Sequence, residues 1–389
     1  MQKIPYGRQY ITDDDINAVI EVLKSDYLTQ GPRITEFEKE IAEYHGAKYG
    51  VAFSNGTAAL HGAYSSLGVS DGDEIITSPI TFAATANAAI YCGAKPCFVD
   101  IDEDTNCIDV NKIEDAITEK TKVISPVAFG GYPVDLRSIH EITEKKGIKV
   151  LYDAAHAIAS KRDGTFGMEY VDAAILSFHP VKHIATGEGG MVLTNDEDIY
   201  KKLLLFRSHG ITKDPELLER NDGPWYYEMQ SLGFNYRITD MQCALGISQF
   251  KRIASNIKRR NEIAKIYNDE LSEVSGLIVP PNVGFEMLDS DDLKGARDIH
   301  SYHLYTLQTK SSNKRKQLYE HLHEKGILAQ IHYIPVHMQP YYQRTYGYQK
   351  GDYPIAEAFY EREVSIPMFH SLQNDALEYI ISEIKKFNF

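Results

Sequence analysis

Short apolar segments that alternate with helix-like segments constrain the fold of this chain more than any other feature. Strands that alternate with helices predict an α/β fold in which a mostly parallel, seven-stranded sheet has helices on both faces. Ligands of such sheets bind beyond the carboxyl ends of the strands. The predicted strands are 49–53, 74–77, 96–99, 122–127, 148–152, 173–177 and 191–194, and the predicted helices between them are 57–67, 82–91, 109–118 and 135–147.

The rest of the chain predicts helices before this sheet and a smaller domain after it. The helix at 13–24 is amphipathic, with Ile16, Ile20 and Leu23 on its apolar side. We expect a large domain at 1–254 and a smaller α+β domain at 255–389. The other predicted elements are helices at 34–44, 240–274, 314–325 and 375–387, an acidic loop at 286–298, and strands at 301–309 and 327–333.

Composition and charge limit the partners that the chain can bind. The 389 residues carry a formal net charge of −14, which disfavours nucleic acid because a phosphate backbone attracts basic surfaces. The four cysteines lack paired spacing, so neither a metal site nor disulfide bonds are expected. No signal segment begins the chain and no apolar run is long enough to cross a membrane. We therefore expect a cytoplasmic protein without a membrane contact.

Two charged residues follow predicted strands. Lys182 lies in a tight turn after the strand 173–177, and lysine forms Schiff bases and has a pKa that burial lowers. Taken alone, Lys182 is more simply an exposed loop lysine. Asp153 ends a strongly apolar strand and is followed by small residues, so it needs a cationic partner or several donors to remain charged.

Two further segments open helices at strand ends. Residues 54–59 form a turn of small residues, and the free N–H groups of a helix start suit a phosphate, although Thr57 alone also fits a helix cap. Phe82 follows Thr81, where its ring either stacks on a ligand or packs in the core. Ser177 ends the strand before Lys182.

Pyridoxal 5′-phosphate (PLP) is the cofactor that uses all of these features together. It needs a lysine for its aldehyde, a carboxylate that keeps its ring nitrogen protonated, a helix start for its phosphate and an aromatic face for its ring. Residues 100–104 are rich in aspartate, but Thr105 replaces the glycine of a calcium loop, so a capped turn is predicted. No Walker, dinucleotide-binding or HExxH motif competes with this interpretation.

The order and spacing of several segments indicate a known family. The segments are 28–32, 54–60, 81–87, 153–157, 177–190, 207–210 and 232–240. In them the chain resembles the sugar-nucleotide aminotransferases of the DegT/DnrJ/StrS family, which have the PLP-dependent transferase fold type I. The resemblance extends from about Tyr6 to the C-terminus.

The resemblance implies a role for each matched residue. Lys182 would bind PLP covalently and carry protons, Asp153 would pair with the ring nitrogen, and His156 would lie beside the ring. The family also implies a homodimer whose active sites are shared between subunits. The other implied cofactor contacts are Phe82 on the ring, Gly56, Thr57 and Ser177 on the phosphate, and Asn235 on the phosphate from the second subunit.

Within the family the chain is similar above all to enzymes that aminate C4 of a UDP-4-keto-6-deoxy-N-acetylhexosamine on the route to pseudaminic acid. Segments 177–190 and 326–333 carry this similarity, with His183 as a local departure where many relatives have Asn or Pro. The positions implied for the sugar nucleotide are equally consistent with a purely structural role, as parts of a loop and of a strand of the small domain. They are Tyr6, Asp26, Tyr27, Leu28, Thr29, Gln330, Ile331, His332 and Tyr333.

The implied reaction is transfer of the amino group of L-glutamate to C4 of this keto sugar. Four alternatives remain open from the sequence. In the first alternative, the enzyme aminates another 4-keto sugar nucleotide, such as a UDP-4-ketopentose or a dTDP-4-keto-6-deoxyhexose. In the second, the protein is a carbon–sulfur lyase of the same fold. In the third, it is a non-catalytic regulator or sugar-binding module. A 3-dehydratase of the family is disfavoured, because such enzymes typically carry His at the position of Lys182.

Overall fold

The structure, a computed structural model, describes residues 3–280, 293 and 295–389, so most of the predicted loop at 286–298 lies outside the described residues. Its strands, β1 to β14 in chain order, are Ile4–Pro5, Tyr49–Phe53, Glu74–Thr77, Lys95–Phe98, Thr121–Ser125, Lys149–Asp153, Ala173–Ser177, Gly190–Thr194, Ile211–Thr212, Glu228–Met229, Leu277–Ile278, Tyr305–Thr309, Ile327–Leu328 and Glu363–Ile366.

The helices fill the intervals between these strands. Among the described residues, none of them combines the length and apolar character that a bilayer span requires. The helices, α1 to α13 in chain order, are Asp13–Leu23, Pro32–His45, Gly56–Ser66, Ala84–Tyr91, Val110–Ala116, Leu136–Glu144, Glu197–Arg207, Asp240–Phe250, Ile253–Leu271, Ser312–Glu324, Pro340–Tyr346, Pro354–Arg362 and Asn374–Lys385.

The large sheet confirms the predicted α/β class. Its seven strands have the order β2-β8-β7-β6-β5-β3-β4, and β8 runs antiparallel to both of its neighbours while the other pairs are parallel. Successive residues of a strand point to opposite faces, so Ile75 and Val123 pack in one apolar core and Ile76 and Ile124 in another. Burial of both faces explains why these strands are continuous apolar runs.

Helix α1 does not bury the side that its sequence pattern suggests. Ile16 is 49% exposed and Leu23 is 56% exposed, whereas Asp15 is fully buried. The Asp15 carboxylate accepts hydrogen bonds from Arg252 at 2.7 Å and from Ser248 at 2.6 Å. These donors balance the cost of burying the charge, so a polar contact fixes α1 against α8 and leaves its apolar side at the surface.

The prediction of one continuous helix at 240–274 is wrong. The chain forms α8 and α9, and Lys251 and Arg252 lie between them. Arg252 leaves helical geometry at φ −109° and ψ 12°, and its guanidinium pairs with Asp15. The predicted domain boundary at 254/255 falls at the start of α9 and stays a prediction.

The C-terminal part contains a three-stranded antiparallel sheet with the order β11-β12-β14. The strand predicted at 327–333 is wrong as a continuous element: Ile327 and Leu328 form β13, which pairs in parallel with β1, and beyond them Gln330 makes an isolated antiparallel bridge with Ser365. The strand predicted at 301–309 begins at Tyr305. Ser301 and Leu304 instead donate backbone hydrogen bonds to the carbonyls of Gly131 and Gly130 at 3.1 and 3.2 Å. These bonds hold the preceding segment against the large sheet.

Candidate active site

A cavity of about 750 Å³ opens at the carboxyl ends of β6 and β7. Asp153 and Ser177, the last residues of these two strands, both line it. The turn into α3, the segment before α4 and the turn after β7 form much of its wall, and Tyr6, His303, His332 and Tyr333 add side chains from the N-terminus and the C-terminal part. The sheet edge expected to bind a ligand is therefore a deep cavity.

Lys182 enters this cavity and is not a solvated loop lysine. A backbone hydrogen bond of 2.8 Å from Lys182 N–H to the carbonyl of His179 closes the turn that carries it. Its Nζ lies 3.3 Å from Nε2 of His303. Burial lowers the pKa of Lys182 to about 7, although the charge of Asp153 opposes the shift. A large fraction of the amine is thus neutral and nucleophilic near neutral pH.

Asp153 faces the same cavity as Lys182 and is only 4% exposed. Its Oδ2 accepts a hydrogen bond from Thr85 Oγ1 at 2.6 Å, and its Oδ1 accepts one from the backbone N–H of Ala155 at 3.1 Å. Burial nevertheless raises the pKa of Asp153, and the two donors and Lys182 reduce that shift. The two hydrogen bonds orient the carboxylate, but they do not fully balance its negative charge. It therefore suits a cationic group in the cavity.

His156 is neutral and fixed in one tautomer. The Gly130 N–H points at its Nδ1 at 3.3 Å, so Nδ1 accepts and the proton is on Nε2. Nε2 then donates to the Tyr333 hydroxyl at 3.2 Å, which leaves the Tyr333 proton for a ligand. Burial, together with the charge of Lys182, holds the pKa of His156 well below its usual range.

The turn into α3 has the form of an anion cradle. Asn55 caps the helix, because its Oδ1 accepts from the Ala58 N–H at 2.8 Å, so the interpretation of Thr57 as the cap is wrong. Gly56 and Thr57 line the cavity beside Ser177. A Cβ on Gly56 would lie 3.3 Å from the Ser177 side chain, so a larger residue would crowd the cradle. Helix starts of this kind bind phosphate through free N–H groups.

Phe82 lines the cavity and is 62% exposed, so the alternative that it packs in the core is wrong. Helix α4 begins at Ala84, and Phe82 lies just before it. Its ring centroid lies 6.0 Å from that of Tyr333. The exposed ring offers an apolar face to a flat ligand.

The structure separates the residues predicted to contact the sugar nucleotide into two groups. Tyr6, His332 and Tyr333 line the cavity. Gln330 and Ile331 do not line it, and Gln330 instead pairs with Ser365 through backbone hydrogen bonds of 3.0 and 2.8 Å.

The segment 26–29 also lies outside the cavity of its own chain, and its four residues, Asp26, Tyr27, Leu28 and Thr29, are exposed. Thr29 pairs with Thr239, four residues from Asn235, which is exposed as well. The Thr29–Thr239 bridge thus ties the exposed segment 26–29 to the stretch that contains Asn235, the residue implied to reach a second subunit.

Two residues of the site escape sequence reasoning. Thr85 donates a hydrogen bond to Asp153. Its position four residues after Thr81 could have indicated this contact, but only after Asp153 had been identified as a site residue. His303 is 4% exposed, its ring centroid lies 4.3 Å from that of His156 with the two rings tilted, and it contacts Lys182. It lies 121 residues beyond Lys182, so no local pattern indicates this contact.

The fold and the cavity define a PLP-dependent transferase. The comparisons then identify the family: residues 9–385 match the DegT/DnrJ/EryC1/StrS aminotransferase family, so the chain belongs to it. The UDP-4-amino-4,6-dideoxy-N-acetyl-beta-L-altrosamine transaminase of Campylobacter jejuni is 36% identical over 98% of this chain and 99% of that protein. The chain is a PLP-dependent sugar aminotransferase, as the sequence predicted.

Two solved structures support the same assignment. The pseudaminic acid aminotransferase PseC of Helicobacter pylori has a TM-score of 0.89 and 32% identity and covers 99% of both chains. Spr1654 of Streptococcus pneumoniae, in its PLP form, has a TM-score of 0.87 and 29% identity, and the match covers 98% of both chains. The predicted family, fold and cofactor are confirmed.

The residues of the cavity fit PLP. The lysine amine of lowered pKa, the buried carboxyl group, the helix-start cradle and the exposed Phe82 ring meet in a single space. We propose the residue assignments accordingly. Lys182 would bind the cofactor, Asp153 would face its ring nitrogen and His156 would lie beside the ring. Gly56, Thr57 and Ser177 would hold its phosphate, and Phe82 would cover its ring.

Proposed function

We propose that the enzyme transfers the amino group of L-glutamate to C4 of a UDP-4-keto-6-deoxy-N-acetylhexosamine, in pseudaminic acid biosynthesis. The observation that carries the chemistry is the shared cavity of Lys182 and Asp153, with the pKa of the amine lowered to about 7. Similarity to the Campylobacter jejuni transaminase and to PseC supports the choice of sugar. We place the reaction in the cytoplasm, and the free cysteines Cys92, Cys97, Cys107 and Cys243 agree with that compartment.

The residues of the chain handle the proton transfers. PLP, when bound, supplies the aldehyde that takes up an amino group and the ring that withdraws electrons. Lys182 Nζ accepts a proton from the substrate carbon in one half-reaction and returns one in the other, which its lowered pKa allows. Thr85 and the Ala155 N–H hold the Asp153 carboxylate in position for the ring nitrogen.

The sugar nucleotide would bind on the side of the cavity that the small-domain segment forms. Tyr6, His332 and Tyr333 provide polar and aromatic groups there, and the Tyr333 hydroxyl has a proton to donate because His156 already donates to its oxygen. Gln330 and Ile331 precede His332 and would fix the course of that segment.

We propose that a second copy of the chain completes the cavity. The exposed segment 26–29 and Asn235 would reach the site of the second copy, with Asn235 on the cofactor phosphate. Exposed apolar side chains support an interface on this surface: Leu28 is 46% exposed, Leu232 is 78% exposed and Leu23 is 56% exposed.

Subunit mixing tests this arrangement. K182A and Asn235→Ala each remove a different part of the site, so a hybrid of the two variants contains one intact site if the sites are shared. We expect the mixture to regain up to about a quarter of wild-type activity, whereas independent sites would give no activity beyond that of the separate variants.

A substrate panel tests the reaction itself. The PLP-loaded enzyme is incubated with L-glutamate and one of three sugars: the UDP-4-keto-6-deoxy-N-acetylhexosamine, a UDP-4-ketopentose or a dTDP-4-keto-6-deoxyhexose. Mass and NMR analysis of the products should show a C4 amine on the first sugar. Turnover of only one of the other sugars would assign a different substrate, and turnover by Lys182→Ala would contradict the role of Lys182.

A further inference from the structure

A buried carboxyl group lies directly behind one of the residues that face the sugar. Glu363 is fully buried at the start of β14, and its Oε2 accepts the backbone N–H of His332 at 2.8 Å. Ser365 is also fully buried, and its Oγ lies 2.5 Å from Glu363 Oε1 and 2.8 Å from His332 Nδ1. Glu363, Ser365 and His332 therefore form one continuous hydrogen-bonded chain that ends at the cavity.

Only one end of this chain is open. Among the described residues, no protein group hydrogen-bonds to Nε2 of His332, and the ring lines the cavity beside Tyr6, with centroids 5.2 Å apart. The hydrogen bond from the His332 N–H and the two hydrogen bonds of Ser365 fix the Glu363 carboxyl group, the Ser365 hydroxyl and Nδ1 of His332 in position. Whatever hydrogen-bonding role Nε2 has is thus available to a ligand.

The chain has two consistent proton arrangements. When Glu363 is protonated, Oε1–H donates to Ser365, the Ser365 hydroxyl donates to His332 Nδ1, and Nε2 carries the proton as a donor. When Glu363 is ionised, Ser365 donates to Glu363, Nδ1–H donates to Ser365, and Nε2 is an acceptor. The change from the first form to the second releases one proton at Nε2, and one proton moves from Ser365 to Nδ1 and one from Glu363 to Ser365.

We propose that Glu363, acting through Ser365, is a positioning residue that decides whether His332 donates or accepts a hydrogen bond in the sugar subsite. In the protonated form His332 donates, which suits a ketone oxygen because that atom can only accept. In the ionised form two acceptors would face each other. The inference deepens the proposed function and rests on it for the identity of the oxygen.

The surroundings of Glu363 favour the protonated form at neutral pH. Burial raises the pKa of Glu363 to about 8, and Arg315 on α10, together with the bonds from Ser365 and His332, limits the rise. Tyr333 lies near the carboxyl group and stays neutral, since burial raises its own pKa. Burial, together with the charge of Lys182, lowers the pKa of His332 to about 3, so its ring is neutral and its tautomer matters.

Two variants separate the relay from a purely structural role. Glu363→Gln presents an amide N–H to Ser365 and a carbonyl to the His332 N–H, so it imitates the protonated acid at every pH. Ser365→Ala removes the link. Glu357→Gln is a matched control, because Glu357 is another buried glutamate bonded to a histidine, His337 at 2.9 Å, and it lies outside the cavity.

The first measurement is the pH dependence of kcat/KM for the keto sugar with the PLP-loaded enzymes. We expect wild type and E357Q to lose activity as the pH rises through about 8, E363Q to lack this alkaline fall, and S365A to lose about tenfold near neutral pH. The half-reaction with L-glutamate alone should be unaffected by S365A. An unchanged alkaline fall in E363Q, or equal loss in both half-reactions of S365A, would overturn the proposal.

The second measurement needs no sugar, so it separates failure of the relay from failure of the proposed function. In PLP-loaded enzyme with ¹⁵N-labelled histidine, the His332 signals are assigned by their loss in His332→Asn. We expect the proton to move from Nε2 to Nδ1 as the pH rises through about 8 in wild type, and to stay on Nε2 in E363Q. A single tautomer across this range in wild type would overturn the relay, even if the sugar is turned over.

Discussion

The two sides of the cavity differ in how their residues are brought together. On the cofactor side, Asp153 and Ser177 end neighbouring parallel strands, and Lys182 follows in the next turn. On the side proposed for the sugar, Tyr6 follows β1, and His332 and Tyr333 follow β13. These two strands pair over two residues each. Sheet geometry fixes the first side, whereas the second depends on packing between distant parts of the chain.

This difference has a functional meaning. Cofactor chemistry is shared within an aminotransferase family and needs a rigid frame, which strand ends supply. The residues proposed to bind the sugar lie on irregular segments, which can change without disturbing the sheet. Variants on the cofactor side should therefore abolish catalysis with every sugar, and variants on the other side should change the preference between sugars.

The largest expected effect is that of Lys182→Ala. Removal of the amine eliminates both the covalent attachment and the proton carrier, so turnover should fall by about 10⁴-fold or more. Lys182→Arg is the control that keeps a charge but cannot take over the chemistry. Steady-state rates with glutamate and keto sugar measure the effect, and loss below tenfold would contradict the account.

Asp153→Asn should have the next largest effect. The amide cannot supply the negative charge to the ring nitrogen, and loss of a charged hydrogen bond lowers the rate by about a hundredfold. Both half-reactions should slow by the same factor, because the cofactor takes part in each. Thr85→Val, which removes only the donor at 2.6 Å, should show a smaller loss of the same kind. A larger loss for T85V than for D153N would be incompatible with this order.

Tyr333→Phe should affect the sugar side alone. Loss of its hydroxyl removes one neutral hydrogen bond, so kcat/KM for the keto sugar should fall about tenfold while the glutamate half-reaction changes little. Tyr341→Phe is a matched control, since Tyr341 is 50% exposed and lies outside the cavity. An equal loss in both half-reactions would erase the distinction between the two sides.

The last expected effect is on stability, not on catalysis. The pKa of Lys182 is about 7 in the folded protein and 10.5 in the unfolded chain, so the unfolded chain binds more protons between these values. Cofactor-free wild type should therefore gain stability relative to Lys182→Met as the pH rises from 7 to 10.5, by at most about 1.4 kcal/mol per pH unit. Urea unfolding measures the difference, and a decrease over this range would contradict the lowered pKa.

The sequence predicted the parts of the molecule whose position follows from local pattern. The central strands lie within two residues of their predicted bounds, and Lys182, Asp153, Gly56, Thr57 and Phe82 all line the cavity. Each of these residues lies at the end of a strand, in the turn that follows one or near the start of a helix, so the sheet and its adjoining turns bring them together.

The sequence could not predict positions that tertiary contacts decide. Ile16 is exposed because Asp15 makes the buried contact of α1. Arg260, one of several basic residues in the segment 240–274, is 1% exposed and donates to the carbonyls of Tyr302 and Met368. His303 reaches Lys182 only because the loop around Gly131 holds its segment. A charged residue in a helical pattern is therefore predicted correctly to be exposed only where no carbonyl or carboxylate from a distant part of the chain pairs with it.

Borohydride reduction of the PLP-loaded enzyme, followed by peptide mass mapping, tests the central claim most directly. Reduction makes the bond between a lysine and the cofactor permanent, so the cofactor mass marks the residue that holds it. We expect the mass on the peptide that contains Lys182, at one cofactor per chain, and none in Lys182→Ala. A label on a different lysine, or equal labelling of the K182A variant, would contradict the account.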